Sequence, residues 1–369
     1  MEKAVLNDAP DTSPGVATPA SAPFDNSEAD LIIRTSDNVE YRVNKLRLRD
    51  ASSCFADMLA LPALVSPKSG MPIDVVDVAE PSATWEYILR ITYATPPLKP
   101  IPHGQLWQLF QAAKKYDMPG VRWALGQVLA GIPYTSEENT LRAYILAYTF
   151  SFPDIASAAA RASLSQPREA FVPELHLASS AVHFRWTEYR RACVDAATAF
   201  ARNKNLFYLT EWWGKIEGWG HAPSQPQTSH PGPACPPAHT YNARLGGTYV
   251  RRSLDEYMKQ SGAALQLCPT GATVRGPQLV AALVQDALGC PQCAPNMRSD
   301  RIADFVEFYS AKIDEAVAKV STFDDRNRVA ELTLDFDPVS TVGSAEHGVT
   351  AMDASAGAGL CDTRIRCIP

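Results

Sequence analysis

Apolar and charged residues first fall into a regular order at Asp30. Asp30-Leu31-Ile32-Ile33-Arg34-Thr35 leads into Ser36-Asp37-Asn38 and then Val39-Glu40-Tyr41-Arg42-Val43, where apolar and charged residues alternate strictly. A period of two sends successive side chains to opposite faces, so this stretch predicts a hairpin whose second strand has one wet face. Leu46, Leu48, Ala51, Phe55, Met58 and Leu59 then recur at mostly helical spacing. Ser52 or Ser53 is placed to cap a helix beginning near Cys54, so two short helices follow the hairpin. Ile73-Asp74-Val75-Val76-Asp77-Val78 reads as another strand, followed by a helix started by Pro81 and Ser82 and carrying Trp85, Ile88, Leu89 and Tyr93. Leu106, Leu109, Phe110 and Ala113 share one helical face, and a partner helix runs from Val121 to Leu129 after a break at Met118-Pro119-Gly120.

From residue 134 to 335 the pattern is mainly helical. Thr135-Ser136-Glu137-Glu138 reads as a capping box before Leu141, Tyr144, Ile145 and Tyr148, a helix expected to pack on the preceding domain. Helical periodicity continues over Ile155 to Leu164, Val182 to about Phe207, and finally Ile302, Phe305, Val306, Tyr309, Ile313, Val317 and Val320. Between these runs lie stretches with too little apolar surface to offset the entropy of ordering them. The predicted organisation is a disordered tail over 1–28, an α+β domain over 29–132 and a helical extension over 133–221. A Pro-rich loop over 222–240, a mainly α-helical region over 241–337 and a second disordered tail over 338–369 complete it. No repeat at a solenoid or propeller period is present.

Three stretches carry a family resemblance. The first joins Ala29-Asp30-Leu31, Tyr41-Arg42-Val43-Asn44-Lys45 and Ser53-Cys54-Phe55-Ala56-Asp57-Met58-Leu59. The second is Trp85 to Tyr93, and the third is Leu106 to Leu125 with Ala112-Ala113-Lys114-Lys115-Tyr116-Asp117-Met118. In this order they resemble the BTB/POZ domain, and the Pro-broken layout is similar to BTB proteins abundant in fungi. Asn44 stands where the family commonly has a histidine before the basic residue. The resemblance implies a small sheet with helical hairpins that binds other proteins, followed by helices as in the family's adaptors.

Composition narrows the setting. With 46% apolar and 20% charged residues the chain has the balance of a globular protein. Its first residues lack the basic and apolar regions of an export signal, and no apolar run approaches the roughly 20 residues of a membrane span. A cytoplasmic or nuclear setting is expected, with the eight cysteines as thiols or metal ligands and not disulfides. A net charge of -6 without a basic cluster gives nucleic acid phosphates little to bind.

Catalytic signatures are missing: the sequence holds no GxxxxGK[ST], HExxH or GxSxG, and Gly357-Ala358-Gly359 lies in a small-residue tail. Cys54 and Cys193 sit in helical patterns and read as buried, inert thiols. Trp212, Trp213 and Trp219 read as core residues ahead of a peptide groove. Glu137-Glu138 and Asp324-Asp325 are adjacent pairs that face apart on a helix and cannot share a proton. The one metal-like constellation is Cys235-Pro236-Pro237-Ala238-His239 with Cys290-Pro291-Gln292-Cys293. Three thiolates and an imidazole at these spacings suit a structural zinc, with Cys268, His230 or His221 as substitutes.

The expected function is therefore a protein-protein interaction module, acting as a monomer or weak homodimer because residues 1–28 lack an amphipathic element to exchange. A role as substrate adaptor of a cullin-type ubiquitin ligase is implied only by the resemblance. It is weakened because family adaptors carry an apolar-x-Glu element after the helix corresponding to residues 82–93, and this chain has no Glu between Glu86 and Glu137. The alternatives are a BTB-type transcriptional regulator working through partner proteins, or an enzyme in residues 134–335 without a recognisable motif.

Overall fold

A computed structural model describes residues 17–61, 73–96, 99–167, 170–202, 215, 220–221, 239–241, 248–250, 252–289 and 299–321. It begins with a four-stranded sheet of order β1-β3-β2-β4, made of β1 Thr18–Pro19, β2 Leu31–Arg34, β3 Val39–Val43 and β4 Asp74–Asp77. β2 and β3 form the expected antiparallel hairpin, with Leu31 opposite Val43 and Arg34 opposite Glu40. Asn38 takes the left-handed backbone conformation (φ 58°) that closes its turn. β4 runs parallel to β2, from Leu31 opposite Asp74 to Arg34 opposite Asp77. A parallel neighbour needs a crossover. Two helices supply it, α1 Lys45–Ala51 and α2 Ser53–Ala60. β2 is central and Leu31, Ile32 and Ile33 are all fully buried, which explains its unbroken apolar run beside the alternating β3.

Caps define the helix starts. Asn44, the residue that departs from the family pattern, accepts from the Leu46 and Arg47 N–H groups, and Ser52 accepts from Phe55 N–H. α3 Ser82–Thr92 starts on the hairpin turn, where Asp37 accepts from the Ser82 N–H at 2.9 Å. Burial opposes ionisation of Asp37, but the Ser82 and Thr35 hydrogen bonds prevail and hold its carboxyl below the usual range. α4 Leu106–Lys115 and α5 Pro119–Ala130 form the next helical pair, buried through Leu106, Leu109, Phe110, Val121, Leu125 and Leu129. α6 Glu137–Thr149, α7 Pro153–Ala162 and the long α8 Ser180–Arg202 follow. The α6 cap is Ser136, which accepts from Asn139 N–H, one residue later than the expected box.

Three short strands come next, β5 Gly220–His221, β6 His239–Tyr241 and β7 Thr248–Val250, forming an antiparallel sheet of order β5-β7-β6. They add β structure at the edge of the expected 222–240 loop and inside the region read as mainly helical. The remaining helices are α9 Arg252–Leu265, α10 Gly271–Val274, α11 Pro277–Leu288 and α12 Ser299–Ala318. The fold class is α+β, mostly helical, as the periodicity indicates.

Two hydrophobic cores organise these elements. One extends from Ala20 to Cys193, and the other gathers Ala197, Leu254, Tyr257, Phe305, Tyr309 and Ile313 among others. α8 joins both, through Trp186, Tyr189 and Cys193 in the first and Ala197 in the second. No break in packing occurs at 132/133: Phe110 stacks on Phe150 with ring centres 4.8 Å apart, and Trp107 meets the same ring at 5.3 Å. Gly126 lets α5 approach the α6–α7 turn, since a Cβ there would sit 2.7 Å from the Phe152 ring.

The tail expected over 1–28 is corrected for residues 17–28. β1 pairs in parallel with β3, and Phe24 is 1% exposed between Tyr41 and Tyr93, with the Arg90 guanidinium 5.8 Å from its ring centre. One aromatic ring anchors a segment whose average composition is polar, so composition alone misleads here.

Candidate protein-interaction surface

α2 is attached to the core by a narrow stripe. Its Phe55 is fully buried against Trp85 (6.0 Å between ring centres) and Tyr116 (5.4 Å), and Trp85 meets Tyr116 at 5.2 Å. The Ser52 hydroxyl donates to the Tyr116 carbonyl and the Ser53 hydroxyl to the Asp117 carboxylate. These bonds fasten the start of α2 to the α4–α5 turn, where Asp117 takes a left-handed backbone conformation (φ 45°).

The anchor is itself braced. Glu80 accepts from Lys115 Nζ and from the Tyr116 hydroxyl, each at 2.7 Å. Burial disfavours the Glu80 anion, yet these two bonds prevail and keep it below the usual carboxylate range. The Tyr116 phenol is pushed up to about 12, by burial first and then by its bond to Glu80. At neutral pH it is a fixed donor and not a proton shuttle.

With Phe55 committed inward, Cys54 and Met58 fall at i and i+4 on the outer side of α2, and Leu61 follows as its C-cap in extended conformation. All three are exposed, Leu61 to 64%. Leu46 on α1 is 62% exposed, and Trp123 on α5, which begins two residues after Asp117, is 68% exposed. Leu46 and Met58 were expected in the apolar set of the two short helices. Leu48 and Phe55, members of the same expected set, take the inward positions, because helices of seven and eight residues have room for few inward side chains. Cys54 is also corrected from a buried to an exposed thiol. Cys193 is buried as expected, and burial pushes its thiol up to about 11. The outward position of Trp123 is legible in the sequence: Val121, Leu125 and Leu129 define the inner face of α5, and Trp123 lies off it.

The zinc expectation lies mostly outside the described residues. Cys235, Cys290 and Cys293 are not among them, nor are His230, Trp212, Trp213, Trp219 and the Asp324-Asp325 pair. His239 belongs to β6 and His221 to β5. Cys268 lies between α9 and α10, partly buried, and burial raises its thiol against the pull of Arg190. Among the described residues no group of three His, Cys, Asp or Glu is placed to hold a metal ion, and no helix is long and apolar enough to cross a membrane. Glu137 and Glu138 lie in the first turn of α6, where negative charge suits the helix dipole.

Compared with known proteins, the sequence matches no family model and no curated protein.

Proposed function

We propose that this chain is a protein-interaction module whose BTB/POZ-like unit docks partners through the outward apolar side chains of α2 and α5. The observation that carries the reading is that Cys54 and Met58 on α2 and Leu61 at its C-cap are exposed, while Phe55 is the one fully buried side chain of the helix. Large apolar side chains held outward on a braced helix lose their contact with water when a partner covers them, and an exposed Trp is a frequent anchor of such contacts. The sequence resemblance supports a BTB/POZ identity, as does the β2–β3 hairpin with β4 parallel to β2. A cullin scaffold is the first partner to try. Calorimetric titration of the full chain with a purified cullin N-terminal domain tests it. Binding that weakens at least about tenfold in Met58→Asp/Leu61→Asp is expected, because removing an interface anchor commonly costs more than 1 kcal/mol. Undiminished binding by the variant rejects the α2 face, and absence of binding rejects the adaptor version.

A further inference from the structure

Residues 17–24 cross the outer edge of β3 as a strap whose hold is narrow. Of residues 17–30 only Ala20 and Phe24 are buried. The backbone adds a few bonds: the Thr18 and Ala20 N–H groups donate to the Asn38 and Glu40 carbonyls at 2.8 and 2.9 Å, and the Arg42 N–H donates to the Phe24 carbonyl at 2.9 Å. Pro19 stands between the two strap donors and has no N–H to offer outward, so the strap ends the sheet instead of extending it.

The groove beneath the strap is built without its help. Phe24 packs edge-on against Tyr41 and Tyr93, with ring centres 5.9 and 5.5 Å away. The Tyr41 hydroxyl donates to the Ser82 carbonyl at 3.0 Å, and the Tyr93 hydroxyl accepts from the Asn44 N–H at 2.7 Å. Arg90, the third wall, is held by Glu86 at 2.5 Å and donates to the Pro96 carbonyl at 3.0 Å, while its own reach to the strap, at the Ala22 carbonyl, is a long 3.5 Å. Each wall therefore has a partner outside the strap. Lifting Phe24 leaves an apolar pocket beside a free strand edge, the two elements with which a sheet takes up an extended peptide: main-chain hydrogen bonds along the edge and a pocket for one side chain. A segment held by two inward side chains and a handful of main-chain bonds opens locally more readily than the core it lies on.

We propose that this groove is a docking site for an extended, proline-containing segment of a partner protein that carries a phenylalanine, and that residues 17–24 occupy it in cis until that segment displaces them. The strap itself shows the pattern that fits: Thr18-Pro19-Ala20-Ser21-Ala22-Pro23-Phe24, small or proline residues along the strand edge and one ring for the pocket. The site does not depend on the reading of α2 and α5. The test uses the full chain and two labelled synthetic peptides, one copying residues 16–26 and one the same with Phe24→Ser. By fluorescence anisotropy the full-length Phe24→Ser chain should bind the phenylalanine peptide at least roughly tenfold tighter than the wild type does, because in the wild type the strap competes at high effective concentration. The serine peptide should bind that variant at least roughly tenfold more weakly, and Met58→Asp/Leu61→Asp should leave binding by the wild type unchanged. Hydrogen exchange on the wild-type chain decides the matter even where Phe24→Ser folds poorly. Excess phenylalanine peptide should remove protection from the Thr18 and Ala20 amides but not from Arg42, whose N–H finds the peptide's carbonyl in place of that of Phe24. Equal binding of the two peptides, or Thr18 and Ala20 amides that exchange only with the core and ignore the peptide, overturns the proposal, since the strap would then be a permanent layer of the fold. A wild-type dimer that is lost in Phe24→Ser also overturns it, because the groove would then take the strap of a second copy.

Discussion

α2 and α12 show two ways of using apolar residues in one chain. α12 buries Ile302, Phe305, Val306, Tyr309 and Ile313 along one stripe, with polar side chains such as Asp304 and Glu307 between them. Folding of the second core accounts for its sequence. α2 buries Phe55 fully, leaves Met58 partly exposed and ends at an exposed Leu61, so folding leaves part of the apolar pattern unexplained. On the proposed reading the difference separates residues that stabilise the core from residues presented to a partner.

The comparison breaks most easily on stability. Phe305→Ala should cost about 3–5 kcal/mol, the range for a buried phenylalanine, whereas Met58→Asp/Leu61→Asp should change stability by no more than about 1 kcal/mol in total. Urea unfolding followed by far-UV circular dichroism reads both. A loss above about 2 kcal/mol in the α2 variant would make its outer stripe a part of the core.

A smaller effect sharpens the account of how α2 is braced. Glu80 is held below its ordinary value of 4.5, so its contribution to stability is fully present above that pH and is lost as the pH falls through its folded value. Tyr116 has the opposite sense: its contribution is present below pH 10 and lost as the pH rises through about 12. Glu80→Gln should lower stability by about 1 kcal/mol at neutral pH and flatten the dependence below pH 4.5, measured by urea unfolding across a pH series. An unchanged acid limb would show that Glu80 does not brace Tyr116.

Much of the fold is legible in the sequence because periodicity is a local signal. The β2–β3 hairpin, β4, the Ser52 cap and the buried faces of α4, α5, α6 and α12 all follow from spacing. Three features are not local. Phe24 reaches a pocket made by Tyr41, Tyr93 and Arg90, far along the chain. The continuity of the first core across residue 132 depends on Phe150 and Phe152 meeting Trp107 and Phe110. The choice between Leu48 and Leu46, or Phe55 and Met58, is made by the partners of α1 and α2, which spacing does not reveal. The proposed interaction surface is half legible for the same reason: its residues stand in the pattern, while their direction comes from tertiary packing.

Affinity capture from the native host with quantitative mass spectrometry tests most directly whether a partner docks on the exposed side chains of α2 and α5. Wild-type chain, Met58→Asp/Leu61→Asp, Trp123→Ala and, as a control for exposed apolar residues elsewhere, Phe171→Ser/Phe184→Ser are compared at equal loading, each first shown to be folded. A set of proteins captured by the wild type and by the Phe171/Phe184 variant, but depleted by roughly tenfold or more in the α2 and α5 variants, is the predicted result. Identical capture by all four would contradict it.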